Sequence, residues 1–275
     1  MIKFVAKQSR ILPHDESAFP ATHSLYAYPM YSDQEAAALY DVVNAWGSSD
    51  DFYLALVMDA ESVLDVGCGT GAMLHRARRA GHAGRLCGLD PDPVSLGVAR
   101  RRTDIEWVAG TAASMAWDSE FDLAIMMSHA FQVLVGDDEL RASLAAIRRA
   151  LFDGGRFAFE TRNPLARAWE SWHPGKAVNV IDPSGRPVRI WHEVESVLGN
   201  IVTFTETTAD PDGAALRLDR ASLRFLDVET LAGFLGDAGF EIDAQYGGWL
   251  REPLDAASPE IITIARSIGE PPIHD

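Results

Sequence analysis

The stretch that most constrains this chain runs from Val63 to Leu74 and reads VLDVGCGTGAML. Its apolar beginning is typical of a buried strand, and three glycines then occupy alternate positions, Gly67, Gly69 and Gly71. Glycine suits such a turn because a side chain would hinder positive φ angles and keep a ligand off the backbone. Residues 72–80 contain neither Gly nor Pro. The turn is therefore predicted to open a helix, whose first N–H groups can face a polar or anionic ligand.

Two acidic residues stand close to this turn. Asp65 lies near the end of the first predicted strand, and Asp90 ends a second one, which begins at Arg85. Parallel neighbouring strands would bring both carboxylates to the carboxyl edge of a sheet, where open α/β sheets bind ligands. The spacing from the glycines to Asp90 is close to that of the ribose-binding acid in nucleotide-binding units. The sequence therefore predicts a cofactor with an adenosine half.

The run from Asp65 to Gly71 resembles the first motif of the class I S-adenosylmethionine-dependent methyltransferases, in which a strand and an acid precede GxGxG. The run from Gly88 to Pro93, which contains Asp90, is similar to the family's second motif. The resemblance extends from about Phe52 to the end of the chain. It implies S-adenosyl-L-methionine as the cofactor, S-adenosyl-L-homocysteine as its product, and an enzyme that transfers methyl groups.

Two alternatives stay open at this stage. The same glycines satisfy the GxGxx(G/A) pattern of NAD-binding proteins, so the chain can be an NAD(P)-dependent oxidoreductase. Such an enzyme would be expected to carry a Tyr-x-x-x-Lys pair near the fifth strand, but Lys176 is the only lysine after Lys7. The second alternative is a protein that binds S-adenosylmethionine without transferring its methyl group.

The order of predicted elements indicates a doubly wound α/β fold. The resemblance implies a seven-stranded, mostly parallel sheet of the Rossmann-like methyltransferase type, with its last hairpin antiparallel. The sequence predicts an N-terminal helical lid over residues 1–60, a cofactor-binding core over 61–164 and 227–268, and an antiparallel β insertion over 165–226. The insertion is predicted because three turn signals separate β-rich runs there, and we expect it to cover the substrate pocket.

The cofactor-binding residues are predicted from the resemblance, with Asp90 holding the ribose hydroxyls and the glycine turn passing the methionyl part. Thr111 stands where the family commonly has an acid beside the adenine, which removes a carboxylate and leaves one hydroxyl acceptor. The full predicted set is Asp65, Gly67, Cys68, Gly69, Gly71, Asp90, Pro91, Thr111, Ala112, Met115 and Ser128.

The loop that contains Ser128 and His129 follows the fourth predicted strand, and the resemblance implies that it faces the methyl group. Methyl transfer from a sulfonium is an in-line displacement, so proximity and orientation carry most of the acceleration. A base is needed only where the nucleophile must lose a proton. His129 is the first candidate, because histidine titrates near neutral pH, followed by Tyr26 and Glu160. An alternative interpretation makes His129 a loop histidine satisfied by backbone groups.

An amine or aromatic small molecule is the favoured acceptor, because the β insertion and the aromatic content resemble methyltransferases of sugars, amines and other secondary metabolites. Residue types alone do not distinguish methylation of N, O and C. Each tryptophan of the insertion can also be a core residue. The predicted substrate-binding residues are Tyr28, Phe131, Arg162, Asn163, Trp169, Trp172 and Trp191.

Composition limits the partners. The net charge of −16 would repel nucleic acid phosphates, and no basic patch interleaved with aromatics offsets it. No apolar run approaches the ~20 residues that span a bilayer, so we expect a cytoplasmic protein without a membrane partner. Cys68 and Cys87 have no metal-ligand spacing, so packing is their predicted role and no metal is expected. The sequence leaves the oligomeric state open.

Overall fold

The computed structural model describes residues 31–269, so the predicted residues Tyr26 and Tyr28 lie outside the described part of the chain. Within that part the helices are α1 (Asp33–Val43), α2 (Ser48–Met58), α3 (Ala72–Arg79), α4 (Pro93–Ala99), α5 (Asp137–Ala150) and α6 (Val228–Asp237). The strands are β1 (Ser62–Val66), β2 (Arg85–Asp90), β3 (Glu106–Ala109), β4 (Phe121–Met126), β5 (Leu151–Arg162), β6 (Val178–Ile181), β7 (Pro187–Leu198), β8 (Ile201–Ala209), β9 (Ala215–Arg224), β10 (Phe240–Tyr246) and β11 (Glu260–Ser267).

Seven of the strands form one sheet in the order β10-β11-β5-β4-β1-β2-β3. The strands from β5 to β3 run parallel, whereas β11 is antiparallel to both of its neighbours. This confirms the predicted doubly wound, mostly parallel fold. The strand order reverses between β1 and β4, and open α/β sheets bind their ligands at such a reversal. The glycine turn that follows β1 lies there.

Helices cover both faces of this sheet. Leu64 and Val66 of β1 pack on one face with α5 and α6, and Val63 packs on the other with α2 and α3. The central strands are consequently apolar on both sides, as β4 shows with five of its six residues buried. Helix α2 thus packs within the main core of the domain, and Phe52, Tyr53, Leu56 and Val57 are its buried apolar residues there.

The segment between β5 and α6 departs from the strand-helix alternation. Three short 3-10 turns are followed by a separate antiparallel sheet in the order β6-β7-β8-β9, which confirms the predicted antiparallel insertion. Helix α1 packs on this second sheet, with Leu39 against Val188 and Ile190 in one apolar cluster. The two N-terminal helices therefore have different neighbours. Within residues 31–269, no helix is both long and apolar enough to cross a membrane.

Candidate active site

The glycine turn has the backbone that its sequence requires. Gly67, Gly69 and Gly71 have φ angles of +80°, +54° and +76°, in the left-handed region that side chains disfavour. A Cβ atom on Gly71 would overlap the ring of Trp107, whereas one on Gly69 would meet no atom within 4 Å. The turn is tied to β2 because the backbone N–H groups of residues 67 and 68 donate to the carbonyl of Leu89, at 2.7 and 3.1 Å. The space beside Gly69 is therefore open to a ligand.

Asp90 fixes the other side of this turn. Its Oδ2 accepts the Gly69 N–H at 2.7 Å, and its Oδ1 accepts the Asp92 N–H at 2.8 Å. Burial raises the pKa of Asp90, and the two backbone N–H groups oppose that rise. A carboxylate accepts about four hydrogen bonds, so both oxygens keep capacity for the ribose hydroxyls that the sequence predicts there.

The carboxylate of Asp65 is in a less favourable electrostatic environment than that of Asp90. It is buried at the edge of the sheet, with 3% of the residue's surface exposed. Its Oδ1 has no hydrogen-bond partner among the residues that the structure describes. Burial, followed by the charge of Asp90, raises the pKa of Asp65 to about 8. An opposite charge would lower that pKa and satisfy the orphaned oxygen. The methionyl ammonium of S-adenosylmethionine is such a group, so this carboxylate and the open glycine turn fit the cofactor.

A cleft runs from this turn toward α5. Five predicted cofactor residues line it, namely Gly67, Asp90, Pro91, Thr111 and Ala112. Residues that sequence reasoning missed complete its wall: Val66, Leu89, Gly110, Met126, Ala130, Val133, Leu134, Glu139 and Ser143. Among these residues, Ser143 is the one that stands out in the sequence, because it is a serine on the apolar face of α5 formed by Leu140, Leu144 and Ile147.

Two of the predicted cofactor residues have side chains directed elsewhere. The Cys68 side chain packs against Leu96 and Ala99, its Sγ donates to the Gly69 carbonyl at 3.8 Å, and burial raises the pKa of its thiol well above the ordinary value. Met115 is buried in the core cluster that includes Phe121 and is not part of the cleft wall. Both cysteines, Cys68 and Cys87, are buried free thiols.

The loop after β4 is held in a strained conformation. Ser128 and His129 are consecutive non-glycine residues with φ angles of +55° and +61°. Such conformations cost free energy and persist only where the surroundings determine them, which is common at functional sites. Ser128 is hydrogen-bonded to the hydroxyl of Tyr40, and burial raises the pKa of that hydroxyl. The strain therefore occurs beside the glycine turn, under α1.

A buried polar cluster surrounds His129. The ring Nε2 lies 2.9 Å from Oε2 of Glu260, and the backbone N–H donates to Oε1 of Glu160 at 2.9 Å. Tyr53 of α2 donates its hydroxyl to the other oxygen of Glu160. Burial, followed by the charge of Glu160, raises the pKa of Tyr53 well above 10. The structure thus brings together His129 and Glu160, and a carboxylate orients the imidazole as it does in acid–base sites.

Arg162 ends β5 beside this cluster and Asn163 follows it, but the two side chains have different environments. Arg162 is buried, donates to the side-chain oxygen of Gln132 at 3.0 Å and lies over the ring of Trp172 at 5.5 Å. Burial lowers its pKa. Asn163 donates to the carbonyls of Asp255 and Ser258 and accepts from a backbone N–H two residues on. Its amide therefore holds the adjoining loops in place.

The predicted aromatic pocket is only partly assembled. Trp169 and Trp172 pack around Phe225, with ring centroids 4.6 and 6.3 Å from it. Trp191 precedes His192, whose ring contacts Trp172, and successive residues of a strand point to opposite faces. Trp191 therefore lies on the far face, where its Nε1 donates to Glu193 at 2.8 Å. Phe131 stacks on Phe159 inside the core at 4.3 Å.

Comparisons with known proteins agree with this geometry. Residues 63–155 match a family model described as a methyltransferase domain. The chain is 26% identical over 248 residues to the cypemycin N-terminal methyltransferase of a Streptomyces species, covering 86% of this chain and 97% of that protein.

Solved structures show the same fold. An amino pentose methyltransferase from Micromonospora echinaspora, with S-adenosylmethionine bound, matches with a TM-score of 0.64 and 23% identity over 86% of this chain and 98% of that one. A sugar N-methyltransferase from Streptoalloteichus matches with a TM-score of 0.67 and 17% identity over 91% and 99% of the two chains.

The family model covers the glycine turn, Asp90, the cleft-lining loops and α5, which are the parts that fit S-adenosylmethionine. The NAD(P)-dependent alternative is accordingly set aside. With its doubly wound sheet, its left-handed glycine turn and its methyltransferase relatives, the chain is a class I S-adenosylmethionine-dependent methyltransferase.

Proposed function

We propose that this enzyme methylates an amine nitrogen of a small-molecule acceptor. The observation that carries the proposal is the buried cluster at the carboxyl edge of the sheet, in which Glu160 and Glu260 flank His129. Acidic groups in a site of low dielectric attract a cation strongly, and an amine is protonated when it arrives from water. An aromatic acceptor has no such need for acidic side chains.

The acids of this edge outnumber its bases. The charges of Asp50, Glu160 and Glu260 raise the pKa of the Tyr40 or Tyr53 hydroxyl, whereas Arg162 is the cation that ends β5 nearby. A net negative edge lowers the energy of a bound ammonium group. It also favours the positively charged cofactor, so the acids serve both partners of the reaction.

His129 is the residue we propose to take the proton. When bound, S-adenosylmethionine supplies an electrophilic methyl group on a sulfonium. The acceptor nitrogen must be neutral to use its lone pair, so its extra proton has to leave before transfer. Glu260 fixes the orientation of the imidazole, and a carboxylate beside it stabilises the imidazolium that forms. Glu160 and Tyr53 position the backbone of the same loop.

The names of relatives support an amine. Two of the matched solved structures are an amino pentose methyltransferase and a sugar N-methyltransferase, and the cypemycin enzyme is named for an N-terminus, whereas two other relatives are named for a naphthoquinone and for O-methylation. We also propose that α1, from the predicted lid of residues 1–60, and the insertion at 165–226 cover the substrate pocket of a core formed by 61–164 and 227–268. The charge of −16 supports a small-molecule partner rather than nucleic acid.

The test uses acceptors in matched pairs. The purified full-length chain is incubated with S-adenosylmethionine and an amino sugar or a peptide with a free N-terminus. Each is paired with its hydroxy or N-acetylated counterpart, and a phenol and a naphthoquinone represent aromatic acceptors. Mass spectrometry then detects the added methyl group. Methylation of an amine and not of its counterpart supports the proposal, whereas methylation confined to hydroxyl or aromatic acceptors contradicts it.

A further inference from the structure

Ser143 is the polar exception on the buried face of α5. It has no exposed surface, and its neighbours on that face, Leu140, Leu144 and Ile147, belong to the hydrophobic core. A serine inside a helix can bond the carbonyl one turn earlier. The Oγ of Ser143 makes no such bond and has no partner among residues 31–269. A buried hydroxyl without a partner destabilises a protein, so stability does not explain why a serine occupies this position.

The position of Ser143 supplies that reason, because the residue lines the cleft that begins at the glycine turn. Between Pro91 and α5 the walls are largely apolar, as Ala112, Ala130 and Leu134 illustrate, which suits the faces of a flat base. The polar side chains along the cleft are those of Asp90, Thr111, Glu139 and Ser143.

These four polar residues are not equivalent. Asp90 is bonded to the backbone on both sides of the turn, and Glu139 and Thr111 are exposed at the mouth. Ser143 alone among them is fully buried without a partner. It is therefore the group at the cleft that most needs a hydrogen bond from a bound molecule.

We propose that the Ser143 hydroxyl binds the edge of the cofactor's adenine and makes α5 part of the base-recognition site. Adenine presents an amino donor beside a ring-nitrogen acceptor, and a hydroxyl both accepts and donates. With Asp90 at the ribose, the base extends along the cleft toward α5. This role of Ser143 concerns the cofactor and is independent of which acceptor the enzyme methylates.

The test measures binding rather than turnover. S-adenosylhomocysteine and its analogue with hypoxanthine in place of adenine are titrated calorimetrically into the wild type and Ser143→Ala. We expect the variant to bind S-adenosylhomocysteine about 5- to 10-fold more weakly, since one hydrogen bond is lost. We also expect it to distinguish the two ligands less. Because the hydroxyl is unsatisfied in the free protein, the melting temperature without ligand should stay unchanged or rise.

A matched control separates this role from a structural one. Ser267 is equally buried, but its hydroxyl donates to the Phe152 carbonyl at 2.6 Å, in the last strand of the sheet. Ser267→Ala should lower the melting temperature and leave both affinities unchanged. Ser143→Cys, which keeps nearly the same volume and weakens hydrogen bonding, should change binding in the same direction as Ser143→Ala. Unchanged affinity in both Ser143 variants, or an equal loss for the two ligands, would overturn the proposal.

Discussion

Asp65 shows how a single residue can favour binding at the expense of stability. Its pKa is about 8 in the folded chain against an ordinary value of 3.8, so between those pH values the folded chain holds a proton that the unfolded chain has released. The free energy of unfolding therefore falls as the pH rises through this range. Affinity for the cationic cofactor changes oppositely, because its ammonium group favours the ionised carboxylate.

We predict that Asp65→Asn removes both pH dependences. At pH 8 the variant should be about 1–3 kcal/mol more stable than the wild type, since no buried charge is left without a partner, and at pH 5 the difference should be smaller. Its affinity for S-adenosylhomocysteine should be about tenfold lower near pH 8. Chemical denaturation and calorimetric titration at both pH values measure these effects. Equal stability differences at pH 5 and pH 8 would refute the assignment.

At His129 we predict a loss of turnover without a matching loss of cofactor binding. His129→Asn removes the imidazole and keeps a residue type that tolerates the left-handed backbone. If His129 is the base, kcat should fall about 100-fold while the Kd of S-adenosylhomocysteine changes less than about threefold. His82→Gln is the control, because that buried histidine bonds the Ala60 carbonyl at the opposite edge of the sheet. Equal losses of kcat and affinity would instead indicate a cofactor contact.

Among the secondary-structure elements, α1 connects the insertion to the cofactor turn. At its beginning, Arg186 contacts Glu35 and Asp182 at 3.1 and 3.2 Å and lies 4.6 Å from the ring of Tyr31. Near its end, Thr70 of the glycine turn donates to Asp41 at 2.7 Å. Helix α1 therefore has polar contacts with both the insertion and the glycine turn.

Arg186→Ala tests this connection. We predict that hydrogen exchange across α1 increases and that S-adenosylhomocysteine dissociates several-fold faster, because the helix loses one of its polar attachments to the second sheet. Arg186 contacts Glu35, Asp182 and Tyr31 rather than the main sheet, so the melting temperature should change little. Arg266→Ala breaks comparable surface ion pairs between β10 and β11 and should leave dissociation unchanged. An unchanged dissociation rate in Arg186→Ala would show that α1 does not retain the ligand.

For the whole molecule, net charge governs how the cofactor arrives. A charge of −16, together with the acids at the sheet edge, should attract the positively charged S-adenosylmethionine over a distance that salt shortens. We predict that its association rate falls about threefold or more from low to high ionic strength in stopped-flow binding. The rate for neutral adenosine should change little. An equal salt dependence for both ligands would exclude electrostatic steering.

The sequence by itself determined the features that depend on residues close together in the chain. The alternating glycines required left-handed backbone, and the buried strands and their spacing predicted the parallel sheet, the position of Asp90 and the antiparallel insertion. These features are local because turn geometry and hydrophobic period are set by neighbouring residues. The same proximity made the glycine turn sufficient to predict an adenosine-containing cofactor.

Only the tertiary structure decided which distant residues meet. Tyr53 and Glu160 are 107 positions apart, and His129 and Glu260 are 131 apart, so no sequence pattern pairs them. The face on which Trp191 lies could be decided only from the orientation of its strand, since a shift by one residue moves a side chain to the other face. The position of Ser143 at the cleft depends on how α5 packs against it. Long-range contacts of this kind form only when chain folding brings the elements together, because each depends on the placement of several helices and strands at once.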